Sequence, residues 1–214
     1  MPVVIETTVY SFGELSDEAK DAARHWYRTG AFGYDWYDAV FDDFAHVAAI
    51  LGVELRTHPI RLFGGGTRHQ NCTYFSGFSS QGDGACYEGD WRHAKRVRVA
   101  IRDYAPRDAE LHRIADALEA IQWRNFYQLH ATIRHRGRYY HEYCMEISVE
   151  RDSPSYQELS VSAEEEVTEA LRDLARWLYR RLEEEFDYLN SDEAVDEAII
   201  ANDYSFTAAG QRFG

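Results

Sequence analysis

Residues 126–149 hold two runs of alternating apolar side chains around a single glycine, which commits this part of the chain to an antiparallel hairpin. Tyr127, Leu129, Ala131 and Ile133 form one face of the first run, 126–134. Tyr139, Tyr143, Met145, Ile147 and Val149, with His141 among them, form one face of the second, 138–149. Successive strand residues point to opposite faces, and residues paired across a ladder share a face. Both sets are odd-numbered, so paired numbers must sum to an even value. A two-residue turn at Arg136 and Gly137 would give an odd sum. A three-residue loop of His135, Arg136 and Gly137 repairs this and puts Gly137 at the left-handed position such loops require. The expected register sets Ile133 across from Tyr139 and Leu129 across from Tyr143.

The rest of the chain mixes helical and strand periods. Residues 3–10 read as a first strand. Ser16 is a good N-cap, with Asp17 and Glu18 in the first turn, for a helix to about Tyr27 that ends near Gly30. Residues 35–51 carry Tyr37, Val40, Phe41, Phe44, Val47, Ala48 and Leu51 at helical spacing and stop at Gly52. Residues 53–63 read as a strand interrupted at Pro59, and residues 72–78 and 85–91 as two more. A helix over 92–104 follows, with Ala94, Val97, Ile101 and Tyr104 as its apolar stripe. The next covers 108–122, with Leu111, Ile114, Ala115, Leu118 and Ile121 on one face. Ser162 and Glu165 suggest a capping box for a long helix to about Tyr188. Ser191 caps a last helix, and Phe206 begins a terminal strand. The expectation is an α+β fold, a single domain over 1–214, with an antiparallel sheet of hairpins packed against several amphipathic helices. Phe44, Val47, Leu118, Leu174 and Leu178 should lie in its core.

The chain has 214 residues and a net charge of −14, unevenly spread. Residues 1–60 carry 4 basic and 10 acidic side chains, residues 61–149 carry 13 and 10, and residues 150–214 carry 6 and 17. Such a balance repels a phosphate backbone and disfavours bulk DNA binding. It suits approach to a basic protein partner. The acidic face would comprise Asp38, Asp42, Asp43, Glu183 and Glu184, with further carboxylates at 164–166 and 192–197. No apolar run is long enough to cross a membrane, and MPVVIETTVY has no basic leader region. Cys72, Cys86 and Cys144 are odd in number and lack C-x-x-C spacing, which points to reduced thiols and a cytoplasmic setting.

Three stretches could carry chemistry. Residues 76–89 place Gly77, Gly82, Gly84 and Gly89 among Ser79, Ser80, Gln81 and Asp83. This reads either as a binding loop with Ser80, Gln81 and Asp83 as polar contacts or as a tight turn whose Asp83 bonds its own backbone. Gly64, Gly65 and Gly66 before Thr67 and Arg68 could form an anion nest with Arg68 as clamp, or a flexible loop, without the spacing of a P-loop. Arg92, Lys95, Arg96, Arg98 and Arg102 line the basic helix as phosphate or carboxylate contacts, or as a solvated face. Folding back of that helix would bring its arginines to Gln81 and Asp83. His130 is expected opposite Glu142 and on the face opposite His141, so the histidines give no metal site. No cofactor is implied.

The segments PIRLFGGGTR, YFSGFSSQGDGACYEG, LHRIADALEAIQWRNFYQL, RHRGRYYHEYCMEISVERDSP and SDEAVDEAIIANDYSFTAAGQRF resemble a family of small phage and prophage proteins. Its members are often labelled "antitoxin of toxin–antitoxin stability system". The resemblance spans nearly the whole chain, and no catalytic residue is carried over from it. It implies a phage-linked accessory protein of the host cytoplasm. The leading expectation is a non-enzymatic protein that occupies a host or phage macromolecule and could antagonise a host defence or regulatory system. The alternative is a small-ligand or nucleotide-binding or processing protein using residues 79–84 and the basic helix.

Overall fold

The computed structural model describes residues 6–31 and 35–214. The chain is α+β, as expected. In chain order its elements are β1 (Tyr10–Ser11), α1 (Asp17–Trp26), α2 (Asp38–Ile50), β2 (Val53–Leu55), β3 (Thr57–Arg61), β4 (Thr67–Asn71), β5 (Thr73–Phe75), β6 (Ala85–Tyr87) and β7 (Gly89–Arg92). Then follow α3 (Val97–Tyr104), α4 (Ala109–Arg124), β8 (Leu129–His135), β9 (Met145–Arg151), α5 (Ala163–Leu189), α6 (Asp192–Ala201), β10 (Ser205–Phe206) and β11 (Arg212–Phe213). The contacts divide these into two compact units, Tyr37–Glu183 and Met1–Trp36 with Glu184–Gly214.

In the smaller unit Ser16 caps α1 as expected, its hydroxyl accepting from the Ala19 N–H at 3.4 Å. Ser191 does the same for Ala194 at 3.2 Å at the start of α6. Phe12, Leu15, Ala19, Ala23, Val195, Ile199 and Phe206 form the core. Arg24 ties α1 to α6 by donating to both carboxylate oxygens of Asp196, each at 2.7 Å. Phe206 enters the expected terminal strand, between β1 and β11. Residues 3–5 of the expected first strand lie outside the described residues; of its remainder only Tyr10 pairs.

The larger unit is built on the antiparallel sheet β2-β7-β8-β9. Its odd-numbered residues Val53, Trp91, Leu129, Ala131, Ile133, Met145 and Val149 are buried. Even-numbered Glu54, Asp90, Arg92, Glu146 and Glu150 are exposed. The sheet is thus one-sided, and the parity argument holds. The register does not: Ile133 pairs with Ile147, Leu129 with Arg151 and His135 with Met145. Residues 136–144 all belong to the loop, closed by Arg136 N–H donating to Cys144 O at 2.7 Å. Gly137 does take positive φ, +106°. Tyr139 and Tyr143, expected on the inner face, are 58% and 63% exposed. The cause is tertiary. Tyr140 stacks on Tyr74, and His141 lies so close to Gly84 that a Cβ there would come within 3.0 Å of its ring, so this segment is held off the ladder.

The helices also depart from expectation at their ends. The helix expected over 92–104 begins only at Val97, because Arg92 belongs to β7 and Arg96 sits at φ +61°. Ser162 makes no box with Glu165; it too has positive φ, and its hydroxyl donates to Glu166 at 2.7 Å. Phe44, Val47, Leu118, Leu174 and Leu178 are buried as expected, at 0–2% exposure. Tyr87 and Trp91 join them, the Tyr87 hydroxyl donating to Leu171 O at 2.9 Å and the Trp91 indole to Leu51 O at 3.1 Å.

Three ladders meet at one point. Arg56 separates β2 from β3, Cys72 separates β4 from β5, and Glu88 separates β6 from β7. Their backbones close a ring: Cys72 N–H donates to Arg56 O at 2.7 Å, Glu88 N–H to Cys72 O at 2.8 Å and Arg56 N–H to Glu88 O at 2.9 Å. From this ring β2 pairs with β7, β3 with β4 and β5 with β6. The interruption expected at Pro59 therefore falls at Arg56. Pro59 stays in β3, which has only β4 beside it, where a missing N–H is tolerated.

Truncating a fully buried leucine removes apolar contacts and leaves a cavity. Leu174→Ala should lower unfolding stability by about 2–5 kcal/mol in chemical denaturation. A loss well below 1 kcal/mol would mean that α5 is not packed as described.

Candidate functional site

The cleft beside the three-strand junction gathers groups that the sequence does not place together. It has a volume of about 290 Å³. Tyr37, Phe41 and Phe75 supply one set of ring walls, with centroids 5.1–6.0 Å apart. Tyr74 and Tyr140 supply another, stacked at 5.1 Å with 13° between planes. Between them lie His58, Gln70, Asn71 and Thr73. β3 and β4 deliver His58 and Gln70 as a cross-strand pair, so their side chains share a face. Leaving β4, the chain passes Cys72 and enters β5, which carries Thr73 and Tyr74.

Most of these polar groups lack a protein partner. Thr73 is 5% exposed, and its hydroxyl oxygen is buried without a hydrogen bond. Among the described residues the side-chain amides of Gln70 and Asn71 also make none. His58 Nδ1 lies 3.5 Å from Cys72 Sγ. Burial, and then the neighbouring Cys72 thiol, push the Tyr74 hydroxyl above its ordinary value, so it stays protonated at neutral pH. A second concavity of about 130 Å³ shares Phe41, Gln70 and Asn71 with the cleft and adds Asp38, Asp42, Arg68 and His69. The hollow beside Asp43, of about 500 Å³, differs in having polar groups engaged: Asp43 accepts from the Tyr104 hydroxyl and Asp108 accepts from the Trp177 indole.

The expected site residues are thus redistributed. Arg68 meets Asp38 and Asp42, without an ion pair among the described residues. Asp43 is held by Tyr104. Half-buried Glu183 lies beside Tyr179, whereas Glu184 belongs to the other unit. Asp83 staples its own turn, accepting from Ser79 N–H at 2.9 Å and Ser80 N–H at 2.6 Å, and these bonds lower its pKa. Gln81 is exposed beside it. The expected meeting of this loop with the basic helix does not occur. Arg98 and Arg102 both bind Asp116, at 2.6 and 2.7 Å, Arg92 pairs with Asp152, and Arg96 starts α3. What the loop does meet is the 136–144 segment: Gly82 lies against Tyr139 and Gly84 against His141. His130, expected opposite Glu142, pairs with Glu150 across β8 and β9. No group of three metal-ligating side chains forms among the described residues.

The sequence carried one unused signal for the cleft. Residues 55–82 and 120–141 contain no Asp or Glu in a chain with 37 of them. These two stretches meet where Tyr74 stacks on Tyr140 and packs against His135 at 5.9 Å.

This is an α+β protein with a polar cleft walled by aromatic rings. The chain belongs to the family described as Domain of unknown function (DUF8835), whose model matches residues 36–192. The match takes in the whole cleft. Comparison with curated proteins and with solved structures finds no match.

The thiols near the cleft give a pH prediction. Burial, reinforced by neighbouring Cys144, pushes the Cys86 thiol up to about 12. An unfolded thiol ionises at about 8.5, so the unfolded state gains stability first as pH rises. Native stability should therefore fall from about pH 8.5 towards 12. Thermal unfolding across this range should show a shallower decline in Cys86→Ala. An identical slope would remove Cys86 as a cause.

Proposed function

We propose that the protein acts by binding, and that the cleft receives a small, flat ligand bearing several hydrogen-bonding groups. This retains the small-ligand alternative and moves its site from residues 79–84 to the junction of β3, β4 and β5. The observation that carries it is the set of polar groups between ring walls: the Thr73 hydroxyl, buried without a hydrogen bond, and the half-buried Gln70 and Asn71 amides, which bond no protein group among the described residues. A buried polar group left unsatisfied costs about 1–3 kcal/mol, which a ligand with matching groups recovers. Aromatic walls with a few convergent polar groups are the usual make-up of a small-molecule site.

A second reading rests on charge and on the resemblance to phage and prophage proteins: an accessory protein that occupies a host or phage macromolecule, including one of a host defence or regulatory system. Glu164, Glu165, Glu193 and Glu197 favour it, being exposed and without ion pairs among the described residues. Asp192 and Asp196 contribute less, because Arg28 and Arg24 hold them. Such capture would weaken steeply with added salt, whereas ligand binding in the cleft would not.

Ligand-observed NMR with a library of small polar aromatic compounds tests the first reading. Compounds that bind the wild type should lose their signal changes with both Asn71→Leu and Tyr74→Ala, while circular dichroism confirms folding. Hits indifferent to both substitutions would place binding elsewhere and overturn it.

A further inference from the structure

The cleft and its smaller neighbour together have the polarity of a ribonucleoside. We propose that they bind an adenine riboside, with the base in the larger compartment and the ribose in the smaller; this rests on reading the cleft as a small-ligand site. The larger compartment, at about 290 Å³, lies at the lower limit of the roughly 300–1,000 Å³ typical of small-molecule sites. One fused ring system suits that size. Tyr74 and Tyr140, stacked on each other, line this compartment with aromatic surface against which a base can pack.

The base edge needs paired donors and acceptors. Gln70 and Asn71 each offer an amide with both, and neither is engaged within the protein among the described residues. An Asn or Gln amide forms a two-point match with the N6 and N7 of adenine. Thr73, whose hydroxyl is buried and unpartnered, lines the same compartment from the neighbouring strand.

The smaller compartment shares Gln70 and Asn71 with the larger, so one ligand can reach both. Asp38 and Asp42 stand one helical turn apart on the same side of α2. Carboxylates are the groups that accept from ribose hydroxyls in dinucleotide sites. Arg68 shares this compartment, so the two carboxylates select for ribose hydroxyls without excluding a phosphate beside the guanidinium. The ligand can be free adenosine or the 3′-terminal adenosine of an RNA strand, since both present the same base and a free 2′,3′-diol.

Isothermal titration of the full chain tests this with adenosine, 2′-deoxyadenosine, cytidine and a short oligoadenylate RNA. Adenosine should bind saturably, with 2′-deoxyadenosine and cytidine at least about tenfold weaker. Asp42→Asn should remove the preference for the ribose, and Asn71→Leu the preference for adenine. Asp103→Asn, exposed on α3 and lining neither compartment, should change neither. Tighter binding of the RNA than of adenosine supports a strand as the source, and the reverse supports the free nucleoside. No saturable binding of adenosine or RNA by folded protein up to millimolar concentration would overturn the proposal, as would equal affinity for the deoxynucleoside. If polar aromatic compounds still bind through Asn71 and Tyr74, only the riboside assignment falls; if none do, the small-ligand reading falls with it.

Discussion

The ring of three backbone hydrogen bonds among Arg56, Cys72 and Glu88 is the constraint on which the larger unit depends. Each of these residues stands where a strand changes partner. Without such a ring, each exchange would leave an N–H and a carbonyl unpaired, and an orphaned backbone group away from water is costly. Here each residue donates once and accepts once, so all three strands change partner with none of the three N–H groups left over. The Arg56–Glu88 ion pair at 3.1 Å lies at the same place. Cys72, 4% exposed, is the member with no charged side chain.

The cleft follows from this branching. A continuous sheet would give His58, Gln70, Asn71 and Thr73 partners or solvent. Once β3 and β4 part from β5 and β6, these side chains line a hollow between ladders. The aromatic rings around it keep the hollow from collapsing, because rings in offset or edge contact pack only at certain angles and distances. The buried, unpartnered Thr73 hydroxyl lowers native stability there, and under the proposed reading a ligand that binds the folded cleft would raise it.

Charge has separate roles in different regions. Most arginines of the acidic chain are already committed to carboxylates: Arg98 and Arg102 to Asp116, Arg113 to Asp173, Arg136 to Glu146 and Arg176 to Asp173 and Glu142. The basic stripe of α3 is therefore largely an inter-helix clamp, not a free anion site. Asp83 likewise serves its own turn. The acid-free stretches that meet at Tyr74 and Tyr140 carry seven arginines and no carboxylate, against the overall −14.

Local pattern was enough to establish much of this protein. Alternate burial fixed which face of β8 and β9 turns inward, because adjacent strand residues must point to opposite sides. Ser16 and Ser191 announced their helices because capping is settled within three residues. The helical spacing of Phe44, Val47, Leu174 and Leu178 named the core for the same local reason. Pairing offset was not legible. Parity allows every even sum, and only the packing of Tyr140 on Tyr74 and of His141 on Gly84 lengthens the loop and sets Ile133 opposite Ile147. The cleft was still less accessible. Its residues come from 37–41, 58, 70–75 and 140, and periodicity within one element says nothing about which strands exchange partners at Cys72. That choice is made by hydrogen bonds between residues 16 and 32 positions apart, which only the folded chain brings together.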